Sequence, residues 1–409
     1  MNRIGILLLA VACSLAPAAA AQDAVKILLS FNGTESEGNL IFDSAGNLYG
    51  TTGDQYDPSL ITVFQLSPNA DGTWTENVLW TSTGGNEPLN IRAGVIFDAS
   101  GNLYGTSQYG GASNCGTVFK LTHNSDGSWT ENNLHDFDCT DGNWAIAGVI
   151  FDKSGNLYGT TTFGGAFNAG VLFQLTPNGD GTWTYNILHT FTTGSDGAYP
   201  GHGSLTFDSK GNLYGTASGG GLSSCPVLYP GCGTVFKMSP KANGTWSFKV
   251  LYSFTGGNDG AGPVYGVTFD KAGNMYSSTY AGGKYQDGTV FELVAHSSGK
   301  YSERVLHAFR GGDGLNPFSG VIFDSAGNLF GSTWQGGTNQ CFNADGCGVV
   351  YELSPNASGS YTDNSLVHFH GTPLATPYSN FVMDSLGNLY GTATGYGMYA
   401  SGEIYEVIR

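Results

Sequence analysis

One phrase, Phe42-Asp43-Ser44-Ala45-Gly46-Asn47-Leu48-Tyr49-Gly50, recurs seven times in the chain, beginning at positions 42, 97, 151, 207, 269, 323 and 383. Successive starts are 54 to 62 residues apart, too long for one coil of a β-helix and the right length for a four-stranded sheet with its loops. The second unit shows the plan. Gly94-Val95-Ile96-Phe97 reads as a continuously apolar strand a, as expected where both faces of a sheet are covered. Asp98-Ala99-Ser100-Gly101-Asn102 turns the chain, with Asp accepting backbone N–H bonds. Strand b is Leu103 to Thr106, strand c Thr117 to Leu121, and strand d runs from Trp129 through Leu134 to Phe137. Gly105 recurs in strand b of every unit except at Ser277, a sign of close approach or a bulge.

The two chain ends decide between an open stack and a ring. The last unit stops after Glu403-Ile404-Tyr405-Glu406-Val407, before any strand d, while Val25 to Phe31 is an orphan strand d with no unit of its own. A spare strand at one end and a missing one at the other predict an all-β, seven-bladed β-propeller of four-stranded blades. Strand 25–31 completes the last blade, and closure removes edges open to pairing between molecules.

Composition agrees with short strands and tight turns: 64 glycines, 13% aromatic and only 11% charged residues. The formal charge of −17 disfavours phosphate backbones and anionic lipid heads, so no nucleic-acid partner is expected. Arg3, the apolar run Ile4 to Leu15 and the small residues Ala18 to Ala21 predict an export signal over 1–21, leaving a propeller domain over 22–409. That apolar run is too short to cross a bilayer, and no membrane span is expected elsewhere. A secreted or periplasmic monomer follows as the expectation.

Six cysteines remain after cleavage, an even number in an exported chain. In an up-and-down blade the b–c loops and d–a connections share one face. Cys225 and Cys232 share the b–c loop of blade 4, and Cys341 and Cys347 that of blade 6. Cys115 enters strand c of blade 2 and Cys139 leaves strand d beside it. Pairings 115–139, 225–232 and 341–347 are expected, all stapling one face.

The candidate chemistry is sparse. The phrase acids Asp43, Asp98, Asp152, Asp208, Asp270, Asp324 and Asp384 read as turn caps rather than ligands. Asp141, Asp196, Asp259 and Asp313 lie in d–a connections on the stapled face; they are candidates for Ca²⁺, with turn chemistry as the alternative, and no cofactor is expected. His135, His189 and His307 occupy a strand-d position that elsewhere holds Leu29, Trp80, Tyr252 and Val367, so packing is expected of them. His202 and His370, in d–a connections, are placed to approach the central channel. Tyr109, Phe163, Tyr280 and Trp334 stand beside Gly-Gly pairs on the stapled face, where rings suit stacking on sugars or peptide contacts, or else fill gaps between blades. No nucleophile elbow, zinc helix or phosphate loop occurs.

Phe97 to Thr106, Gly110-Gly111 and Cys115 to Leu121 together resemble the bacterial GloVer tandem repeat, and the resemblance spans nearly all of 22–409. Its members are often called choice-of-anchor proteins for their varied C-terminal surface anchors. This chain ends at Arg409 without one, from which a released or periplasmic form is expected. The Asp-x-x-Gly-Asn-Leu-Tyr core is also similar to NHL and SMP-30-type propellers, some of them lyases or lactonases. The metal-binding acids those enzymes need have no clear counterpart here. The resemblance implies a fold and a compartment. The expected role is a non-catalytic module binding an extracellular glycan or protein on the stapled face. The alternative is a hydrolase or lyase acting on a polysaccharide or lactone at the central channel, with a metal assisting.

Overall fold

The computed structural model describes residues 25–54, 56–221, 225, 230–339, 341, 345–371, 374–395 and 402–409; the expected export signal lies outside them. Seven antiparallel sheets form the blades of a β-propeller, each ordered a-b-c-d. Blade 2 is strand a Ile96–Phe97, b Leu103–Thr106, c Thr117–His123 and d Trp129–Asp136. Blade 6 adds a short strand, Leu315–Pro317, beside its strand b. Among the described residues no helix is long and apolar enough to cross a membrane.

Closure is by the N-terminal strand. Val25–Ser30 pairs with Glu403–Val407, from Val25 against Val407 to Ser30 against Glu403, and so becomes strand d of blade 7.

Strand a is shorter than the apolar run suggested. Only Ile96 and Phe97 pair with strand b, and the preceding residues line the propeller axis. Around the axis the inner segments converge: a Cβ on Gly94 would sit 2.0 Å from the carbonyl oxygen of Asn39 in the neighbouring blade. Crowding at the axis, rather than loss of burial, ends the ladder, since Val95 is fully buried.

The phrase is repeated because each of its residues has a structural task. Asp152 Oδ1 accepts from the backbone N–H groups of Ser154 (2.8 Å) and Asn156 (2.9 Å), and Oδ2 accepts from Asn156 Nδ2 (2.7 Å) and Tyr158 Oη (3.0 Å). The phrase tyrosine then docks on the phrase phenylalanine of the next blade. Tyr49 meets Phe97 edge-on at 4.8 Å, and the same contact joins Tyr104 to Phe151, Tyr158 to Phe207, Tyr214 to Phe269 and Tyr276 to Phe323. Tyr390 meets Phe42 at 5.2 Å and carries the series across the junction of blades 7 and 1. Such edge-to-face pairs add roughly 0.5–1.5 kcal/mol each beyond burial. Blade 6 departs: Phe330 replaces the tyrosine, Met383 the next phenylalanine, and the Arg409 guanidinium lies 4.0 Å over Phe330. The strand-b glycine is also explained. A Cβ on Gly105 would meet the Phe119 ring of strand c at 2.6 Å, so the missing side chain makes room for an aromatic in the blade core.

Candidate functional site at the propeller axis

Antiparallel blades put the d–a connections and b–c loops on one face, and backbone bridges such as Leu89 to Tyr109 and Asn143 to Phe163 join them there. Each d–a connection delivers one side chain toward the axis, five residues before the phrase: Glu37, Arg92, Ile146, His202, Val264, Phe318 and Tyr378. Glu37, Arg92, Ile146, His202 and Tyr378, with Tyr265, line a small cavity there. Its free space is about 20 Å³, where one water needs on the order of 10–15 Å³, so the floor of the channel admits water and no sugar ring.

The polar members form one network. Arg92 binds both carboxylate oxygens of Glu37 and donates to Tyr378 Oη at 3.2 Å. Burial opposes the guanidinium's charge, but Tyr378, Glu37 and Glu35 outweigh it and hold Arg92 above its ordinary value. Glu35 is pushed up to about 7, by burial first and then by the adjacent Glu37 carboxylate. His202 is pushed down to about 3, again by burial first and then by Arg92, so its imidazole is neutral at physiological pH. Tyr265 and Tyr378 are raised, chiefly by burial, and stay protonated. The axis thus carries a charged pair, a carboxyl poised near neutrality, a neutral imidazole and two phenols. Together they can orient a polar group, and Glu35 can give or take a proton.

Glu35 has a measurable consequence. An acid whose folded value exceeds its ordinary 4.5 stabilises the fold fully below about 4.5, and that contribution is lost as pH rises through about 7. Glu35→Gln cannot titrate, so its unfolding free energy, measured in urea, is expected to gain on the parent's from about pH 5 to about pH 8. Two parallel pH curves would contradict the assignment.

The four rings singled out from the sequence lie around this axis, half-buried, in two aromatic arcs. Tyr109, Trp144, Phe163 and Tyr199 meet edge to face in series at 5.0–6.0 Å. In the other arc Tyr280, Trp334, Tyr378 and His202 surround Phe318, with Tyr378 nearest at 4.7 Å. Trp144, Tyr199, Phe318 and Tyr378 were not among the candidates. His202 lines the cavity at the axis, whereas His370 is exposed and does not. Among the described residues the most exposed rings on this face are three others, all in b–c loops: Tyr56 (85%), Phe167 (59%) and Tyr285 (43%).

The family model described as the Gloeobacter/Verrucomicrobia repeat matches residues 14–229 and 227–408. The chain belongs to this family. No curated protein matches it. Solved structures similar to this repeat protein include a luciferin-regenerating enzyme, at 14% identity and TM-score 0.47 over 94% of this chain and 95% of that one. A gluconolactonase from Xanthomonas campestris follows at 16% identity and TM-score 0.39, over 76% and 90%. A protein of unknown function from Dyadobacter fermentans matches at 12% identity and TM-score 0.42, over 94% and 100%.

The same face of this family member carries three disulfides, Cys115–Cys139, Cys225–Cys232 and Cys341–Cys347, with Cα separations of 5.3, 5.0 and 5.0 Å. The d–a acids are taken up locally. Asp141 accepts from the backbone of Asp138 (2.9 Å) and lies 2.8 Å from His135 Nε2. Asp196 pairs with His189 at 3.1 Å, and Asp259 accepts from Tyr252 Oη at 3.0 Å. These acids secure the end of strand d to its turn, so His135 and His189 have a polar partner as well as a packing role.

Proposed function

We propose that this protein is an exported binding module whose stapled face takes an extracellular glycan across the axis. The observation that carries the reading is the arrangement of half-exposed aromatic arcs around a polar floor too narrow for a sugar. A chain of sugars resting there meets rings that stack on its apolar faces and polar groups at the axis that orient its hydroxyls. The exposed rings of Tyr56, Phe167 and Tyr285 extend the contact area outward. Three disulfides support export, because such bonds persist in oxidising compartments.

The test is affinity electrophoresis through neutral polysaccharides, followed by titration calorimetry with the best of them. Trp144→Ala is expected to weaken binding about tenfold or more, on the scale of a lost stacking residue. Unchanged retention of Trp144→Ala and Phe167→Ala together would sink the glycan face and leave a protein ligand as the class to pursue.

A second reading rests on Glu35. A carboxyl near neutrality beside Arg92 suits proton abstraction or lactone opening. Glu35 and Glu37 touch each other, whereas paired-carboxylate glycosidases hold theirs roughly 5–9.5 Å apart, so this pair does not suit that mechanism. Release of unsaturated or ring-opened product from polysaccharides or lactones, abolished in Glu35→Gln, would establish the catalytic reading in place of simple binding.

A further inference from the structure

At successive blade boundaries on the stapled face, one design recurs and then changes. His135 of blade 2 stacks flat on Tyr185 of blade 3 at 3.9 Å, and His189 of blade 3 stacks on Phe248 of blade 4 at 3.8 Å. Each imidazole Nε2 is bonded to the aspartate of its own d–a turn. In both, the covering ring is the third residue of the next strand d. At the boundary of blades 5 and 6 that residue is Asp363.

The substitution leaves the boundary electrostatically incomplete. His307 Nε2 stands 3.4 Å from Asp313 Oδ2 without forming a hydrogen bond, and Asp363 Oδ1 is buried with no partner. The backbone N–H of Arg310 occupies Asp313 Oδ1 at 2.9 Å, and the Arg310 guanidinium reaches Oδ2 only at 3.6 Å from a side chain that is 69% exposed. One donor atom from each of His307, Asp313 and Asp363 lies within 4.8 Å of the others, across two blades.

We propose that His307, Asp313 and Asp363 form a site for a divalent first-row transition ion, of which Zn²⁺ is the type. One imidazole nitrogen with two carboxylate oxygens matches the donors such ions take at roughly 2.0–2.2 Å, with a fourth position for water. The ion would neutralise two facing carboxylates and give the unbonded Nε2 and Oδ1 their partner. Calcium fits less well, since it gathers about six to eight oxygens and this set has three donors, one of them nitrogen. Asp313 thus differs from Asp141, Asp196 and Asp259, whose blades supply no second carboxylate beside a histidine.

The full mature chain, stripped with EDTA, is titrated with Zn²⁺ against a chromophoric chelator, and with Co²⁺ by visible absorption. One Zn²⁺ per chain is expected. Asp363→Tyr installs the ring that blade 3 carries, and it and His307→Gln should each weaken binding by about tenfold or more. Glu303→Gln, at the neighbouring boundary where Tyr252 replaces the histidine, should leave affinity unchanged. Absence of stoichiometric binding to the folded parent would overturn the site. So would affinity equal to the parent's in Asp363→Tyr and His307→Gln, and so would tighter binding of Ca²⁺ than of Zn²⁺.

Discussion

Deleting residues 25–31 is expected to cost the protein most of its stability and to make it self-associate. Leu28, Leu29 and Phe31 pack into the core between blades 7 and 1, and Val25 packs into the core between blades 6 and 7. Phe31 also meets Phe64 of blade 1 at 5.2 Å. Several half-buried side chains at about 1–1.5 kcal/mol each amount to about 5 kcal/mol, within the 5–15 kcal/mol typical of a whole domain. The deletion also bares strand Glu403–Val407, a sheet edge ready to pair with another chain. Thermal melting and size-exclusion chromatography should therefore show a markedly lower transition and higher oligomers. A synthetic peptide of residues 24–32 added in trans should reverse both. A truncated chain that stays monomeric with an unchanged melt would mean that the ring does not depend on this strand.

The second large effect is expected at the axis. Arg92→Ala leaves the buried Glu37 and the half-buried Glu35 with no cation beside them, and breaking a buried pair from one side costs about 3–5 kcal/mol. The loss should be greatest near pH 8. Arg92 holds the Glu35 value down in the parent, so its removal lets the folded value climb further above the ordinary 4.5. Protonation then favours the folded state, and stability recovers as pH falls toward about 5. Replacing both partners, Arg92→Met with Glu37→Leu, should restore most of the loss, because neither charge of the pair is left alone and Glu35 loses the repulsion of Glu37 together with the cation. Urea denaturation of the single and double variants gives the comparison. A single variant as stable as the parent at pH 8, or a double variant no better than the single, would show that the pair does not hold the axis together.

Much of the fold was legible because its instructions are local. Asp152, Asn156 and Tyr158 meet within six residues, so the turn shows in every copy of the phrase. Gly105 could be marked as a close approach, though not that the Phe119 ring fills the space. The extent of strand a could not be read, because it stops where neighbouring blades crowd the axis. The site was harder. The position five residues before each phrase varies from Glu37 to Tyr378 while its surroundings repeat, and that contrast was the available signal. It passed unread because each residue looks unremarkable alone. Trp144 and Phe318 went unnoticed for the same reason: they lie in connections, where periodicity is silent.

The sequence by itself determined the blade, the number of blades and the strand that closes them, since turn chemistry, hydrophobic runs and the mismatched chain ends are all properties of neighbouring residues. Only the tertiary structure decided what faces what at the centre. Arg92 and Glu37 are 55 residues apart and Arg92 and Tyr378 are 286 apart, yet closure of the ring brings all three into one network. Their altered protonation follows from burial and mutual charge, which depend on distance in space and not on position along the chain.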